Sequence, residues 1–289
     1  MEEVITFDSE GNSLIGVLHS ANKNEKLGVL LVVGGPQTRV GSHRQFVLLA
    51  RYLSEHKVPV LRFDYHGMGD SSGELSSFED CERDIKHAID AFYESVPELT
   101  GVVLWGLCDA AAASVFYAPQ DSRVKGLVLL NPWARTEGGE AKAFVKHYYL
   151  SRLVDKNLWK KVFSGKFELG KSVSSLFSNL NKTFSSSAPK ANGVSKSKSL
   201  FDPSTPLPER LYKGLSQFNG SILFVISGDD LTAAEFLDVA ESSADWKSLM
   251  RSAKITKKTL QGANHTFSSK AWRAQVEHWT LDWIGEQNV

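Results

Sequence analysis

The sequence predicts an α/β fold in which a mostly parallel, eight-stranded sheet carries helices on both faces. Short apolar runs alternate along the chain with segments of helical spacing, as in parallel strands joined by crossover helices. Runs such as "LGVLLVV" (27–33) are apolar throughout, which is typical of strands buried on both faces. The chain has 289 residues, of which 42% are hydrophobic, enough for one large domain or a domain with an insertion.

Each element follows from a local pattern. The predicted strands are "VITFDSEG" and "SLIGVLHS", which form a leading pair, and then 27–35, 58–65, 101–106, 125–133, 221–230 and 254–262. Helical spacing of apolar residues predicts helices over 43–56 and 80–96, in the alanine-rich run after Cys108, and over 271–284. Ser76 and Glu79 have the spacing of a capping box in front of the second helix.

Residues 134–217 interrupt this alternation, so the predicted core has two parts, 1–133 and 218–289. We expect the interruption to be a cap or lid insertion, helical at first and then serine-rich and partly mobile. Residues 134–200 contain 13 Lys and Arg against 4 Asp and Glu, a net charge of +9. Either the segment is a solvated loop that its lysines keep soluble, or it covers a pocket for an anionic substrate such as a coenzyme A or carrier-protein thioester.

Composition excludes several classes of protein. Two cysteines are too few for a disulfide framework, and basic and acidic residues balance at 33 each, which argues against a general nucleic-acid binder. The acidic start and the lack of a long apolar run predict a cytoplasmic protein without a signal peptide or transmembrane segment. No paired His or Cys spacing and no Walker or dinucleotide fingerprint is present, so we expect neither a metal nor a cofactor.

The stretch "VVLWGLCDAAAAS" (102–114) places a cysteine at the corner between a strand and a helix. Gly106, Cys108 and Ala110 match the small-x-nucleophile-x-small pattern of a nucleophile elbow, in which small neighbours permit a tight turn. The alternative is a buried cysteine that serves only as a small hydrophobe.

Two later segments supply partners for such a nucleophile. "ISGDD" follows a late strand and offers a carboxylate, Asp230 or Asp229, of which Asp230 is favoured because Asp229 follows the turn glycine more tightly. "GANHTF" places His265 between the last strand and the last helix. The order Cys108, Asp230, His265 is that of α/β-hydrolases, and we predict these residues as the catalytic triad.

A tetrahedral intermediate also needs two N–H donors for its oxyanion. We expect the backbone amide of Asp109 to be one of them. The other should come from the loop "VVGGPQTRVG", from Gly35 or Gln37, because the intervening proline has no N–H. The Asp109 carboxylate would oppose a thiolate on Cys108 if it turned inward.

Three further residues follow in the same loop and are predicted to bind an anionic part of the substrate, with surface salt bridges as the alternative: Arg39, His43 and Arg44.

The chain resembles the exosortase A system-associated hydrolase 1 family of α/β-hydrolases. The resemblance covers 1–135 and 218–289 and rests on the motifs "GGPQTRVGSHRQF", "RFDYHGMGDSSG", "GLCDAA", "SGDDLTAAEF" and "GANHTFSSKAWR". It implies hydrolase chemistry beside exopolysaccharide and protein-sorting loci. Dienelactone hydrolases, which are similar in fold, use Cys, Asp and His, and this likeness implies the role of nucleophile for Cys108.

The choice of nucleophile favours particular substrates. A thiolate leaves a tetrahedral adduct more easily than an alkoxide, so thioesters and esters with stabilised leaving groups suit Cys108 better than plain alkyl esters. We therefore predict a hydrolase of thioesters or activated carboxylic esters that works through an acyl-enzyme. The alternatives are an acyltransferase on the same triad and a non-catalytic partner protein of an exopolysaccharide system.

Overall fold

The strands form one mostly parallel, eight-stranded sheet in the computed structural model, which describes residues 2–20, 26–35, 37–75, 77–135 and 204–287. Its order is β1-β2-β4-β3-β5-β6-β7-β8. Strand β2 is antiparallel to both of its neighbours, and the other neighbours are parallel. The strands are β1 (Glu2–Ser9), β2 (Asn12–His19), β3 (Leu27–Val32), β4 (Val60–Phe63), β5 (Gly101–Leu107), β6 (Val124–Leu130), β7 (Ser221–Ser227) and β8 (Ile255–Leu260).

Helices cover both faces of the sheet, as predicted. Helices α1 and α7 pack on one face, and helices α2 to α6 contribute to the core on the other. Within the described ranges, every helix is too short or too polar to span a membrane. The helices are α1 (Gln45–Glu55), α2 (Glu82–Ser95), α3 (Asp109–Tyr117), α4 (Leu207–Gln217), α5 (Leu231–Ala240), α6 (Ala244–Met250) and α7 (Lys270–Gly285).

The apolar central strands divide their side chains between two cores. In β3, Leu30 and Val32 belong to the core beneath α2 to α6, whereas Val29 and Leu31 belong to the core beneath α1 and α7. All four are fully buried. Because successive side chains of a strand point to opposite faces, the unbroken apolar run is what a sheet covered on both sides requires.

Helix α2 begins later than the sequence pattern indicates. Its first residue is Glu82, and Cys81 is its N-cap residue, so Glu79 lies outside the helix and the predicted capping box is wrong. The Glu79 carboxylate instead accepts a hydrogen bond of 2.6 Å from Nη2 of Arg210 on α4. The Arg210 guanidinium also lies 5.1 Å from the centre of the Phe116 ring. Glu79 therefore forms an ion pair with Arg210, which is distant in sequence, and does not cap α2.

Most of the predicted insertion, residues 136–203, lies outside the described residues. Its last helix, α4, belongs to the same compact unit as the sheet, and Leu211 and Leu215 are buried in the core beneath α2 to α6. Nζ of Lys254 donates to the carbonyl oxygens of Leu215 and Phe218 at 2.8 and 2.6 Å, at the end of this helix. The division into a core and a cap stays a prediction.

Strand β5 and helix α3 approach most closely at Gly106. A Cβ atom on this residue would lie 2.6 Å from the carbonyl carbon and oxygen of Ala110 and 2.8 Å from the backbone nitrogen of Ala111. These are backbone atoms that cannot move aside without shifting the helix. The small residues of the "GLCDA" motif are therefore needed to bring the start of α3 against the end of β5.

We expect Gly106→Ala to lower the free energy of unfolding by about 1–3 kcal/mol or more, because the added methyl group overpacks two backbone segments. The measurement is urea denaturation followed by circular dichroism. Gly285→Ala is the matched control, since a Cβ atom there meets no atom within 4 Å and the residue is the exposed last residue of α7. Equal stability of the two variants would contradict this reading of the turn.

Candidate active site

The three predicted triad residues lie at one edge of the sheet. Cys108 follows β5, Asp230 follows β7 and His265 lies between β8 and α7. Strands β5 to β8 are parallel neighbours, so their carboxyl ends open onto the same side. Residues separated by more than 150 positions in sequence thus meet at the edge where α/β proteins commonly bind their ligands.

Cys108 occupies a strained turn between β5 and α3. Its backbone angles are φ 62° and ψ −122°, a conformation that residues with side chains rarely adopt. The turn is held by hydrogen bonds from the Cys108 amide to the Leu130 carbonyl (2.9 Å) and from the Trp133 amide to the Cys108 carbonyl (3.1 Å). Cys108 is partly exposed, as a nucleophile at the head of a helix must be.

His265 is hydrogen-bonded to Asp230. Its Nδ1 lies 2.9 Å from Oδ2 of Asp230, which also accepts a bond of 3.0 Å from the Ala233 amide at the start of α5. The Asp230 side chain is 8% exposed and that of His265 is 32% exposed. The carboxylate is therefore fixed behind the imidazole, and the imidazole faces solvent. Asp230, rather than Asp229, is the residue that meets His265.

The imidazole of His265 favours its protonated form. Its pKa is raised to about 10, first by the hydrogen bond to Asp230 and then by the neighbouring side chain of Cys108, while burial opposes the shift. The ring is thus hydrogen-bonded to the carboxylate, and its charge is also favoured by the side chain of Cys108. The structure brings together all three residues that the sequence predicts as a triad.

The two residues predicted to supply the second oxyanion donor already have acceptors within the protein. The Gly35 amide donates to Oδ2 of Asp109 at 2.7 Å, and the Gln37 amide donates to the Gly34 carbonyl at 3.3 Å. The Asp109 carboxylate also accepts from the Ala110 amide at 3.0 Å. Burial raises the pKa of this carboxyl group, and the amide donors oppose that rise.

Of the predicted substrate-binding residues, Arg39 forms salt bridges within the protein. Its guanidinium pairs with the buried Asp64 and, at 2.5 Å, with Asp70. These ion pairs connect the loop after β3 to the loop after β4. They correspond to the alternative role predicted for Arg39, that of a residue in salt bridges. His43 and Arg44 are exposed in a turn with positive φ angles, and their binding role stays a prediction.

The sequence analysis missed a buried polar pair that supports the His265 loop. Nδ2 of Asn131 donates to the carbonyl oxygen of His265 at 2.9 Å and to Oγ of Ser227 at 2.8 Å. Ser227 in turn donates to the Asn264 carbonyl at 2.9 Å. Asn131 has a positive φ of 42° and is fully buried. The available signal was an asparagine directly after the apolar run of β6.

Cys81 contrasts with Cys108. It is 1% exposed, its sulfur lies 3.0 Å from the Phe78 carbonyl, and burial raises the pKa of its thiol. A buried thiol in apolar surroundings reacts slowly. Cys81 therefore provides an internal reference for the reactivity of Cys108.

We expect Asp230→Asn to lower the pKa of His265 by about 1–3 pH units, because the neighbouring negative charge is lost. The measurement is an NMR titration of the imidazole nitrogens in protein with labelled histidine. Asp229→Asn is the matched control and should leave the titration unchanged. A larger fall of the His265 pKa in Asp229→Asn than in Asp230→Asn would show that Asp229 is the carboxylate that raises this pKa.

The raised pKa of His265 also makes folding stability depend on pH. An unfolded histidine titrates near 6.5, so the contacts of the imidazolium stabilise the fold fully below about pH 6.5 and are lost as the pH rises through about 10. We expect the stability difference between the wild type and His265→Gln to shrink over this range, as measured by urea denaturation. The exposed His278→Gln is the control, and a difference that grows with pH would contradict the assignment.

Known structures of similar fold include esterases and other hydrolases. The esterase Pf2001 of Pyrococcus furiosus superimposes with a TM-score of 0.63 at 12% identity, over 99% of this chain and 90% of that protein. Est1E of Butyrivibrio proteoclasticus, with ferulic acid bound, gives 0.61 at 14% identity, over 98% and 100%. Dienelactone hydrolase of Anabaena variabilis gives 0.61 at 13% identity, over 100% and 99%. At these identities the likeness shows the fold alone.

Comparison by sequence gives a more specific result. No curated protein matches the chain. A family model described as "Alpha/beta hydrolase family" matches residues 29–277, which is most of the sequence and includes the three residues of the site. The chain therefore belongs to the alpha/beta hydrolase family.

Proposed function

We propose that the protein hydrolyses thioesters or activated carboxylic esters, with Cys108 as the nucleophile and an acyl-enzyme as the intermediate. The observation that carries the proposal is the position of His265, which is hydrogen-bonded to Asp230 and whose pKa is also raised by the side chain of Cys108. Such an arrangement couples a nucleophile to a base whose orientation is fixed by a third group.

In the first half of the proposed reaction, the Cys108 thiolate attacks the acyl carbon while its proton resides on His265. A carbon–sulfur bond forms and the carbonyl electrons move to the oxygen, which gives a tetrahedral oxyanion. When the adduct collapses, the bond to the leaving group breaks and His265 donates its proton to the departing sulfur or oxygen. The acyl group then remains on Cys108.

In the second half, water releases the acyl group. Acylation removes the thiolate, one of the two side chains that raise the His265 pKa, so the neutral imidazole can accept a proton from water. The hydroxide attacks the acyl carbon and the bond to Cys108 breaks. The released Cys108 thiolate then again lies beside a protonated His265. Asp230 holds the ring in the same orientation during both halves.

The leaving group determines the proposed substrate class. A thioester adduct contains two sulfur leaving groups of similar quality, so its collapse proceeds forward as readily as backward. An alkyl ester adduct expels Cys108 first unless His265 protonates the alkoxide early. Esters of enols and phenols avoid this difficulty, and the structural neighbours, which include esterases and a dienelactone hydrolase, are consistent with an esterase-type hydrolase.

Three finer features of the proposal rest on the sequence alone. These are the exosortase-associated subfamily, a coenzyme A or carrier-protein linkage of the substrate, and a cytoplasmic location. The linkage depends on the basic segment 134–200, most of which lies outside the described residues. They stay predictions.

We expect the protein to cleave a short-chain acyl thioester faster than the matching alkyl oxyester, and Cys108→Ala to lose about 10³-fold or more of this activity. The thiol product is measured spectrophotometrically, and intact-mass spectrometry should detect the acyl adduct on Cys108. His265→Ala should accumulate less adduct, because the attacking sulfur loses its proton acceptor.

Cys81→Ala is the matched control, since Cys81 is buried away from the triad, and its activity should equal that of the wild type. A preference for the alkyl oxyester, or an adduct on a residue other than Cys108, would contradict the proposal.

A further inference from the structure

The side chain of Asp109 lies where a negatively charged oxygen would be bound. Its Oδ2 accepts from the Gly35 amide at 2.7 Å, and its Oδ1 accepts from the Ala110 amide at 3.0 Å. Two backbone N–H groups, from the loop after β3 and from the first turn of α3, thus converge on one carboxylate beside Cys108.

One of these donors is a donor that the proposed reaction needs. In an enzyme with a nucleophile elbow, the oxyanion is bound by the amide of the residue after the nucleophile and by an amide of the loop after β3. Here the first is the amide of Asp109 and the second is that of Gly35. The Gly35 amide is directed at the Asp109 carboxylate, so a substrate oxygen and this carboxylate compete for the same place.

We infer that Asp109 closes the oxyanion site of the resting enzyme, so that its carboxylate must turn out before a substrate carbonyl can enter. The inference rests on the proposed function, because it presumes that the reaction at Cys108 forms an oxyanion. The side chain of Asp109 is accordingly autoinhibitory, whereas the backbone amide of the same residue is a donor to the oxyanion.

The surrounding chain fits closely around the carboxylate in this position. A Cβ atom at Gly34 would lie 2.1 Å from Oδ1 of Asp109, so only glycine permits the carboxylate to lie against the loop. Asp109 is partly exposed, which leaves its side chain a route towards solvent. Burial disfavours the charged carboxylate and raises the pKa of this carboxyl group, whereas the amide donors and His265 favour the charged form.

Removal of the carboxylate should have two effects on catalysis. It leaves the two amides free to bind the substrate oxygen, and it removes a negative charge from the place where negative charge develops. If the open state is populated at about 10% in the resting enzyme, opening it permanently raises the apparent affinity for an oxyanion by about tenfold.

The test compares the full-length wild type with Asp109→Ala, Asp109→Asn and Asp245→Ala. Asp245 is an exposed carboxylate in the first turn of α6 and controls for the loss of a helix-terminal charge. For a neutral short-chain thioester, we expect kcat/KM to rise about tenfold in Asp109→Ala. The rise should be smaller in Asp109→Asn, which keeps an acceptor oxygen without the charge, and Asp245→Ala should equal the wild type.

A second readout does not depend on turnover. A trifluoromethyl ketone with the same acyl chain adds to a thiolate, forming a carbon–sulfur bond and an oxyanion, and 19F NMR measures its dissociation constant. We expect Asp109→Ala to bind it about tenfold more tightly than the wild type. Thermal denaturation of each variant shows whether it is folded, and Asp109→Asn serves if the alanine variant is not.

The outcomes separate this inference from the proposed function. Turnover that depends on Cys108, without a gain in either Asp109 variant, overturns the inference and leaves the hydrolase proposal standing. Tighter ketone binding by the Asp109 variants, without turnover of any thioester, supports the inference and overturns hydrolysis. Absence of the ketone adduct from all the proteins overturns both.

Discussion

The site depends on one side chain, the imidazole of His265, which joins elements from opposite ends of the sequence. Its bond to Asp230 connects the end of β7 to the loop after β8, and the side chain of Cys108, at the end of β5, also acts on the ring. Both groups favour the charged ring. Because the Asp230 carboxylate is almost completely buried, water does not replace the imidazole as its hydrogen-bond partner. The orientation of the ring is therefore fixed before a substrate binds.

The fold concentrates its conformational strain at the same place. Cys108 and Asn131, which end neighbouring strands, both have positive φ angles without being glycines. Such conformations cost free energy and persist only where the surrounding structure determines them, here through the backbone bonds of Cys108 and the buried side-chain bonds of Asn131. The apolar packing on both faces of the sheet supplies the stability that makes this strain tolerable.

The sequence was most informative where a single local rule determines the structure. Unbroken apolar runs predict strands buried on both faces, and the placement of Cys108, Asp230 and His265 after three strands predicts their meeting, because parallel strands share one edge. The start of α2 was not predictable in this way, since Glu79 satisfies a distant arginine instead of a nearby backbone amide. The orientation of the Asp109 side chain is equally non-local, because it depends on how closely the Gly34–Gly35 turn approaches α3.

If His265 controls the reactivity of Cys108, the loss of the imidazole must change the alkylation rate of this thiol. Iodoacetamide labelling of the intact protein, followed by peptide mapping, reports the rates of both cysteines in one sample. Cys108 should be labelled much faster than the buried Cys81, and His265→Ala should remove most of this advantage. Equal labelling of the two thiols in the wild type, or a Cys108 rate that does not respond to the loss of the imidazole, would rule out this control.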